Sequence, residues 1–219
     1  MTNSILQLRQ AIATCRVIFW DFDGVIKDTI SAKADVFEQV FSEYGEELSK
    51  RARSHHEKNG GLSRFEKIPL YLGWAGENVT SGDVERLCVK ISENMIEKVV
   101  EANFVEGVLD LINSSKAKEQ ILVSATPTNE LEAILEKINM SCVFRWVYGA
   151  PIDKTGIVKE CLNELKATPQ ECILIGDSAA DKKAAEVNGI RFILRAHSHN
   201  EDLQKLHMGI TVKDFVANE

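Results

Sequence analysis

Two carboxylates, Asp21 and Asp23, follow the apolar run Val17-Ile18-Phe19-Trp20 and precede Gly24. Such a run reads as a buried strand, so both acids fall at its exposed end. Alternation puts them on one side of the chain, with Phe22 opposite, and Gly24 permits a sharp turn straight after. Two close acids repel, and they coexist by sharing a proton or a cation. A divalent metal would settle the conflict and leave one carboxylate free to attack an electrophile. Asp-Gly is also a common turn pair, so these residues alone do not decide for chemistry.

Three later segments add to them. Ser124-Ala125-Thr126 ends a second apolar run where a helix is expected to begin, with Thr126 as N-cap and Pro127 at the first helical position. A helix N-terminus offers free amides and a positive dipole end to a phosphate. The Ser124 hydroxyl and Ala125 amide are the candidate donors there, against the plain alternative of a helix cap. Lys154, in Gly149-Ala150-Pro151-Ile152-Asp153-Lys154, would bring an ammonium to the same place, although a lone lysine is usually solvated. Gly176-Asp177-Ser178-Ala179-Ala180-Asp181 supplies a second acidic cluster at a strand end. Asp177 is placed to share a metal with Asp21. Asp181, one helical turn on, could accept from metal-bound water or hold Lys154. Capping by Asp177 or Ser178 is the structural alternative.

The elements that position these residues follow from periodicity. Val17–Trp20, Ile121–Val123, Cys172–Ile175 and Arg191–Leu194 are apolar without alternation, which suits parallel strands buried on both faces. Helical segments flank the later ones: 108–116, 127–138, 155–165 and 179–187. Strand–helix–strand order predicts right-handed crossovers and an α/β doubly wound parallel sheet. The interval from about Lys27 to Asn103 holds no strand pattern and reads as helices over 31–44, 47–58, 64–72 and 83–102. Val36 and Val40 mark the inner face of the first, and Leu87, Ile91, Met95 and Val99 that of the last. A helical block between the first two strands predicts an inserted all-helical cap, residues 28–103, on a core of 1–27 and 104–219.

The bulk properties narrow the class. The chain has 219 residues, a net charge of −7, 44% hydrophobic and 27% charged residues, as in ordinary soluble globular proteins. The acidic balance and the absence of a Lys/Arg run argue against a nucleic-acid partner. The five cysteines show no Cys-x-x-Cys spacing, which points to reduced thiols. The N-terminus lacks a basic start and long apolar stretch, and no run approaches the roughly 20 residues of a membrane helix, so a cytoplasmic location and no membrane partner are expected. The five histidines lack metal spacing and read as surface or structural residues.

Four motifs in this order, each at a strand's C-terminal end, resemble the haloacid dehalogenase superfamily. They stand here as Asp21-Phe22-Asp23-Gly24-Val25, Ser124, Lys154 and Gly176-Asp177 with Asp181. Asp28 matches the subgroup with a helical cap after the first motif, similar to β-phosphoglucomutase and phosphoglycolate phosphatase-like hydrolases. The resemblance implies a Mg2+-dependent phosphatase acting on a small phosphorylated metabolite through an aspartyl-phosphate. Asp21 would be the nucleophile and Asp23 the general acid–base. Asp21, the Asp23 carbonyl and Asp177 would hold Mg2+, with Asp181 beside them, and Ser124, Ala125 and Lys154 would bind the phosphoryl group. Asp23 favours phosphate esters, because dehalogenases and phosphonatases lack an acid at that place.

In Gly60-Gly61-Leu62-Ser63-Arg64-Phe65-Glu66-Lys67, Ser63 and Glu66 fit a capping box. The loop also resembles the Gly-x-Ser-Arg loop of β-phosphoglucomutase-like proteins, which implies that Arg64, with Lys67 second, reads the substrate's distal end. A sugar-phosphate mutase is the alternative function. It is disfavoured because Lys33 stands where such mutases carry a hinge histidine. A non-catalytic binding module would require the loss of Asp21 or Asp177, and both are present.

Overall fold

The computed structural model describes residues 2–216. The chain runs through α1 (Thr2–Thr14), β1 (Val17–Trp20), α2 (Ile30–Phe41), α3 (Glu46–Lys58), α4 (Arg64–Trp74), α5 (Ser81–Glu101), α6 (Val108–Ser114) and β2 (Glu119–Pro127). It continues through α7 (Thr128–Lys137), β3 (Trp146–Ala150), α8 (Lys154–Leu165), β4 (Cys172–Gly176), α9 (Ala179–Val187), β5 (Arg191–Arg195), α10 (Glu201–Leu206) and β6 (Ile210–Val212). The strands form one parallel sheet in the order β3-β2-β1-β4-β5-β6. This is the α/β architecture that the apolar runs predict.

The central strand explains its own composition. All four residues of β1 are buried. Ile18 and Trp20 pack on one face with Leu8 of α1 and Ile112 of α6. Val17 and Phe19 pack on the other with Ile157 and Val158 of α8 and Ala184 of α9. Such a strand cannot alternate apolar with polar residues. Trp20, large for a position next to a site, is accommodated by a hydrogen bond from Nε1 to Gln120 Oε1 (3.1 Å) and by an edge contact with Phe215.

Register sets the level of the site. Trp20 stands opposite Leu122 of β2 and Ile175 of β4, so the residues that follow β1, β2 and β4 emerge at one edge. That edge is the ligand-binding side of open α/β sheets. β3 and β6 add to the four strands expected. Trp146, Val147 and Tyr148 are only half-buried, on an edge strand whose last two residues are Gly149 and Ala150, so it lacks a continuous apolar run. The described residues contain no helix long and apolar enough to cross a membrane.

The helices α2 to α5 all lie between β1 and β2. Val36, Val40, Leu87, Ile91, Met95 and Val99 are buried there, which accounts for the helical spacing of those residues. The two strands of chain that enter and leave this block are tied together. The Asp28 amide donates to Asn103 O (2.8 Å) and the Val105 amide to Ile26 O (2.9 Å). Lys27 Nζ donates to Val100 O and lies over the Phe104 ring.

Candidate active site

Asp21 leaves β1 with its amide still in the sheet, donating to Ile175 O (2.9 Å). Its side chain therefore starts from a fixed backbone. Oδ1 accepts from Lys154 Nζ at 2.8 Å, and the same ammonium donates to Asp181 Oδ1 at 2.6 Å. Asp153 caps the helix that carries Lys154, accepting from the Gly156 amide. Asp181 is oriented in turn by the Ser178 amide and hydroxyl, both of which donate to Oδ2. Oxygens of Asp21, Asp177 and Asp181 lie within 4.8 Å of one another. Gly24, at φ +75°, makes room for this cluster: a Cβ there would sit 2.2 Å from Asp177 Oδ2.

The charges at this edge are out of balance. Burial raises the proton affinity of Asp21 well above the carboxylate range, and Asp181, Asp177 and Asp23 add to the rise against Lys154. Asp177 is pushed up to about 7 by burial and by Asp181. Lys154 is held above the ordinary lysine range, because Asp181 and Asp21 outweigh its burial. Three buried carboxylates facing one ammonium are a donor set of hard oxygens short of positive charge, which fits a divalent cation such as Mg2+. Both Asp181 oxygens are already engaged, so its first role is to hold Lys154; Asp21 and Asp177 are the freer ligands.

Asp23 lies on the other side of the turn in a different setting. Oδ1 accepts from Thr29 Oγ1 (2.6 Å), and Oδ2 accepts from Lys33 Nζ (2.5 Å) and Thr126 Oγ1 (2.8 Å). Burial alone would raise its pKa, but the charge of Lys33 and these hydrogen bonds outweigh it and hold the carboxyl below its usual value. Ser124 Oγ approaches the same oxygen at 3.5 Å. Thus Asp21, Lys154, Asp177 and Asp181 converge; Ser124 lines a cavity with Lys154 and approaches Asp23, which faces a second pocket.

Several sequence expectations need correction. No helix begins at Ser124-Ala125-Thr126: β2 continues through Pro127 and the helix starts at Thr128. The pairing with β3 shifts register between Val123 and Pro127, so Ser124 and Ala125 sit in an irregular strand end, and the helix terminus at Thr128 comes only after it. Thr126 does not cap the helix; its hydroxyl turns to Asp23 and accepts from Lys33 Nζ. Arg64 does not project freely. It is buried, and its two terminal nitrogens pair with both oxygens of Glu130 on α7 at 2.7 and 2.6 Å. Ser92 of α5 joins this pair. Lys67 is buried and reaches His56 Nδ1 at 3.1 Å.

Two histidines are more involved than their spacing suggests. His197 Nε2 lies 2.8 Å from Asp177 Oδ2, and burial and Arg195 push its pKa down to about 4. His56 lines the pocket of Asp23 and Lys67. Sequence spacing carries no sign of His197, because its partner is 20 residues upstream, just past the end of the neighbouring strand β4. Lys33 is visible in the sequence only as a departure from a family pattern, and nothing in the spacing marks Thr29. Gly61 has a reason beyond loop flexibility: a Cβ there would sit 2.4 Å from Ser178 Oγ, so the loop can rest on the strand-end cluster.

The sequence profile of the haloacid dehalogenase-like hydrolases matches residues 17–195. A phosphoglycolate phosphatase of Pseudomonas putida is 20% identical over 192 residues, covering 84% of this chain and 71% of that protein. The fold is similar to CbbY of Rhodobacter sphaeroides in complex with xylulose-1,5-bisphosphate, with a TM-score of 0.75 at 16% identity over 93% of this chain and 96% of that one. β-Phosphoglucomutase of Clostridium difficile has a TM-score of 0.73 at 17% identity, covering 92% of each chain.

Proposed function

The chain belongs to the haloacid dehalogenase-like hydrolases, and from that premise we propose that it is a Mg2+-dependent phosphatase of a small phosphorylated metabolite. The observation that carries this reading is the division of two neighbouring acids between two environments. Asp21 sits against Lys154 in an acidic cluster, and Asp23 sits under Lys33 facing a pocket. Two carboxyls with oppositely shifted pKa values are a signature of divided roles in group transfer.

Asp21 is the nucleophile. One of its oxygens is held by Lys154, which leaves the other to form a bond to phosphorus as the ester oxygen departs. Lys154 and Ser124 neutralise and orient the phosphoryl oxygens, with the Ala125 amide as a further donor. Asp21, the Asp23 carbonyl and Asp177 would hold Mg2+, which when bound supplies charge neutralisation at the phosphoryl group. Asp23 gives its proton to the departing oxygen. It then takes one from the water that attacks phosphorus and releases Asp21. The clamp of Lys33, Thr29 and Thr126 favours the base form of Asp23; the acid form requires Lys33 to loosen. Residues 28–103 act as a cap over the core of 1–27 and 104–219. Its loop at Gly61 lies against Ser178, and the substrate's leaving group lies beneath it.

The relative named as a phosphoglycolate phosphatase supports ester hydrolysis. The test is phosphate release from a panel of sugar and hydroxy-acid phosphates, with and without Mg2+. Metal-dependent release from a narrow set is the expected result. Interconversion of sugar-phosphate isomers without release would replace hydrolysis by the mutase alternative.

A further inference from the structure

Three buried cations, Lys33, Arg64 and Lys67, line the pocket that Asp23 faces. Two of them are neutralised. Lys33 is paired with Asp23, and Arg64 with both oxygens of Glu130. Lys67 is 1% exposed, and among the described residues it forms no ion pair. Its side-chain partner is an imidazole, His56 Nδ1 at 3.1 Å, and the Phe37 ring lies 5.6 Å away. His56 is stacked on Phe37 and held neutral, well below its ordinary range, by burial and then by Lys67. It therefore accepts from Lys67, and an ammonium has two further N–H donors to give.

We propose that Lys67 is the receptor for a single carboxylate on the leaving-group half of the substrate, so that the enzyme releases a short hydroxy acid. This rests on the phosphatase reading. Asp23 protonates the departing oxygen, so the part of the substrate beyond that oxygen occupies the pocket that Asp23 shares with Lys67. The rest of the wall is largely apolar (Ile30, Phe37, Leu62, Met95), which leaves Lys67 as the cation without a counter-charge. A neutral polyol would leave that charge uncompensated in a site shielded from water, and a second phosphate would bring two charges to one ammonium. Burial and the nearby Lys33 push Lys67 down to about 7, as is expected of an amine whose anion is missing. Arg64, by contrast, fixes the helix that carries Lys67.

The test compares phosphoglycolate with its carboxamide analogue, which keeps the shape and removes the charge. With Mg2+, the wild-type protein should favour the carboxylate by about tenfold or more in kcat/KM, and Lys67→Met should reduce that ratio to within about twofold. Lys67→Arg should keep most of it. A wild-type ratio near one, or a ratio unchanged in Lys67→Met, would overturn the assignment. Calorimetric binding of the same two ligands to Asp21→Asn reads the pocket without turnover. Equal affinities there overturn the role of Lys67. Preference for the carboxylate supports it even if the wild-type protein hydrolyses neither ligand, a result that would count against the phosphatase reading alone.

Discussion

At the mouth of the sheet, Asp21, Asp177 and Asp181 face one ammonium, Lys154. Beneath the helical block, Lys33, Arg64 and Lys67 face two carboxylates, Asp23 and Glu130. The first region is short of positive charge and the second short of negative charge. Both are buried, so the imbalance is not screened away by solvent. Asp21 and Asp23, two residues apart, fall on either side of this divide, and their proton affinities shift in opposite directions. As proposed above, what each region lacks describes what it binds: a divalent cation at one end and an anionic leaving group at the other.

The comparison breaks most easily at Asp21, the proposed nucleophile. Asp21→Asn should lower phosphate release by about 10³-fold or more with an unchanged circular dichroism spectrum. Near-native release would remove the covalent step and with it the division of labour between the two acids. The acidic end is sharpened by pH. The Asp177 pKa is raised to about 7, so below that value its carboxyl is protonated and a metal must displace the proton. Asp21 is raised as well, so apparent Mg2+ affinity should fall at least tenfold per pH unit below about 7, with at least one proton released on binding. Calorimetry in two buffers of different ionisation enthalpy measures that release directly. An affinity flat from about pH 5 to 8 would show that the cluster is not the metal's site.

The cationic end makes a different prediction, about stability. Arg64 and Glu130 are both 5% exposed at their side chains, and removing one partner of a buried pair strands the other. Glu130→Gln should cost about 3–5 kcal/mol in urea unfolding. The double substitution Arg64→Met, Glu130→Met should recover much of that loss. If Glu130→Gln instead left stability intact and altered only substrate preference, Arg64 would return as a substrate-reading group and the contrast with Lys67 would fail.

The sequence displays the acidic end far better than the cationic one, for a physical reason. Asp21, Ser124 and Asp177 follow short apolar runs that must be buried strands, and parallel pairing brings their ends to one level. Lys154 follows from the same logic at a helix start. The pocket of Lys33, Arg64 and Lys67 is assembled from faces of separate helices, whose rotation and packing no local pattern fixes. Arg64 stands in a recognisable loop, yet its partner Glu130 is 66 residues away on α7. Periodicity marks Val36 and Met95 as core residues without revealing that Lys33 points to Asp23. The same holds for His197, whose contact with Asp177 depends on how β4 and β5 end side by side.

The smallest expected effect separates the residues around Arg64 from one another. Ser63 is adjacent to Arg64 and four residues before Lys67, but its hydroxyl and amide both donate to Glu66 at 2.9 Å. That is a helix-capping arrangement, complete within one turn and engaging no group of the pocket. Removing the hydroxyl leaves the amide contact to Glu66 in place, so the loss is partial. Ser63→Ala should cost about 0.5–1 kcal/mol in urea unfolding, and the selectivity for a carboxylate over a carboxamide substrate should follow Lys67 alone. A loss of selectivity in Ser63→Ala equal to that in Lys67→Met would mean that the loop acts as one unit, and the single uncompensated charge would no longer explain what the pocket prefers.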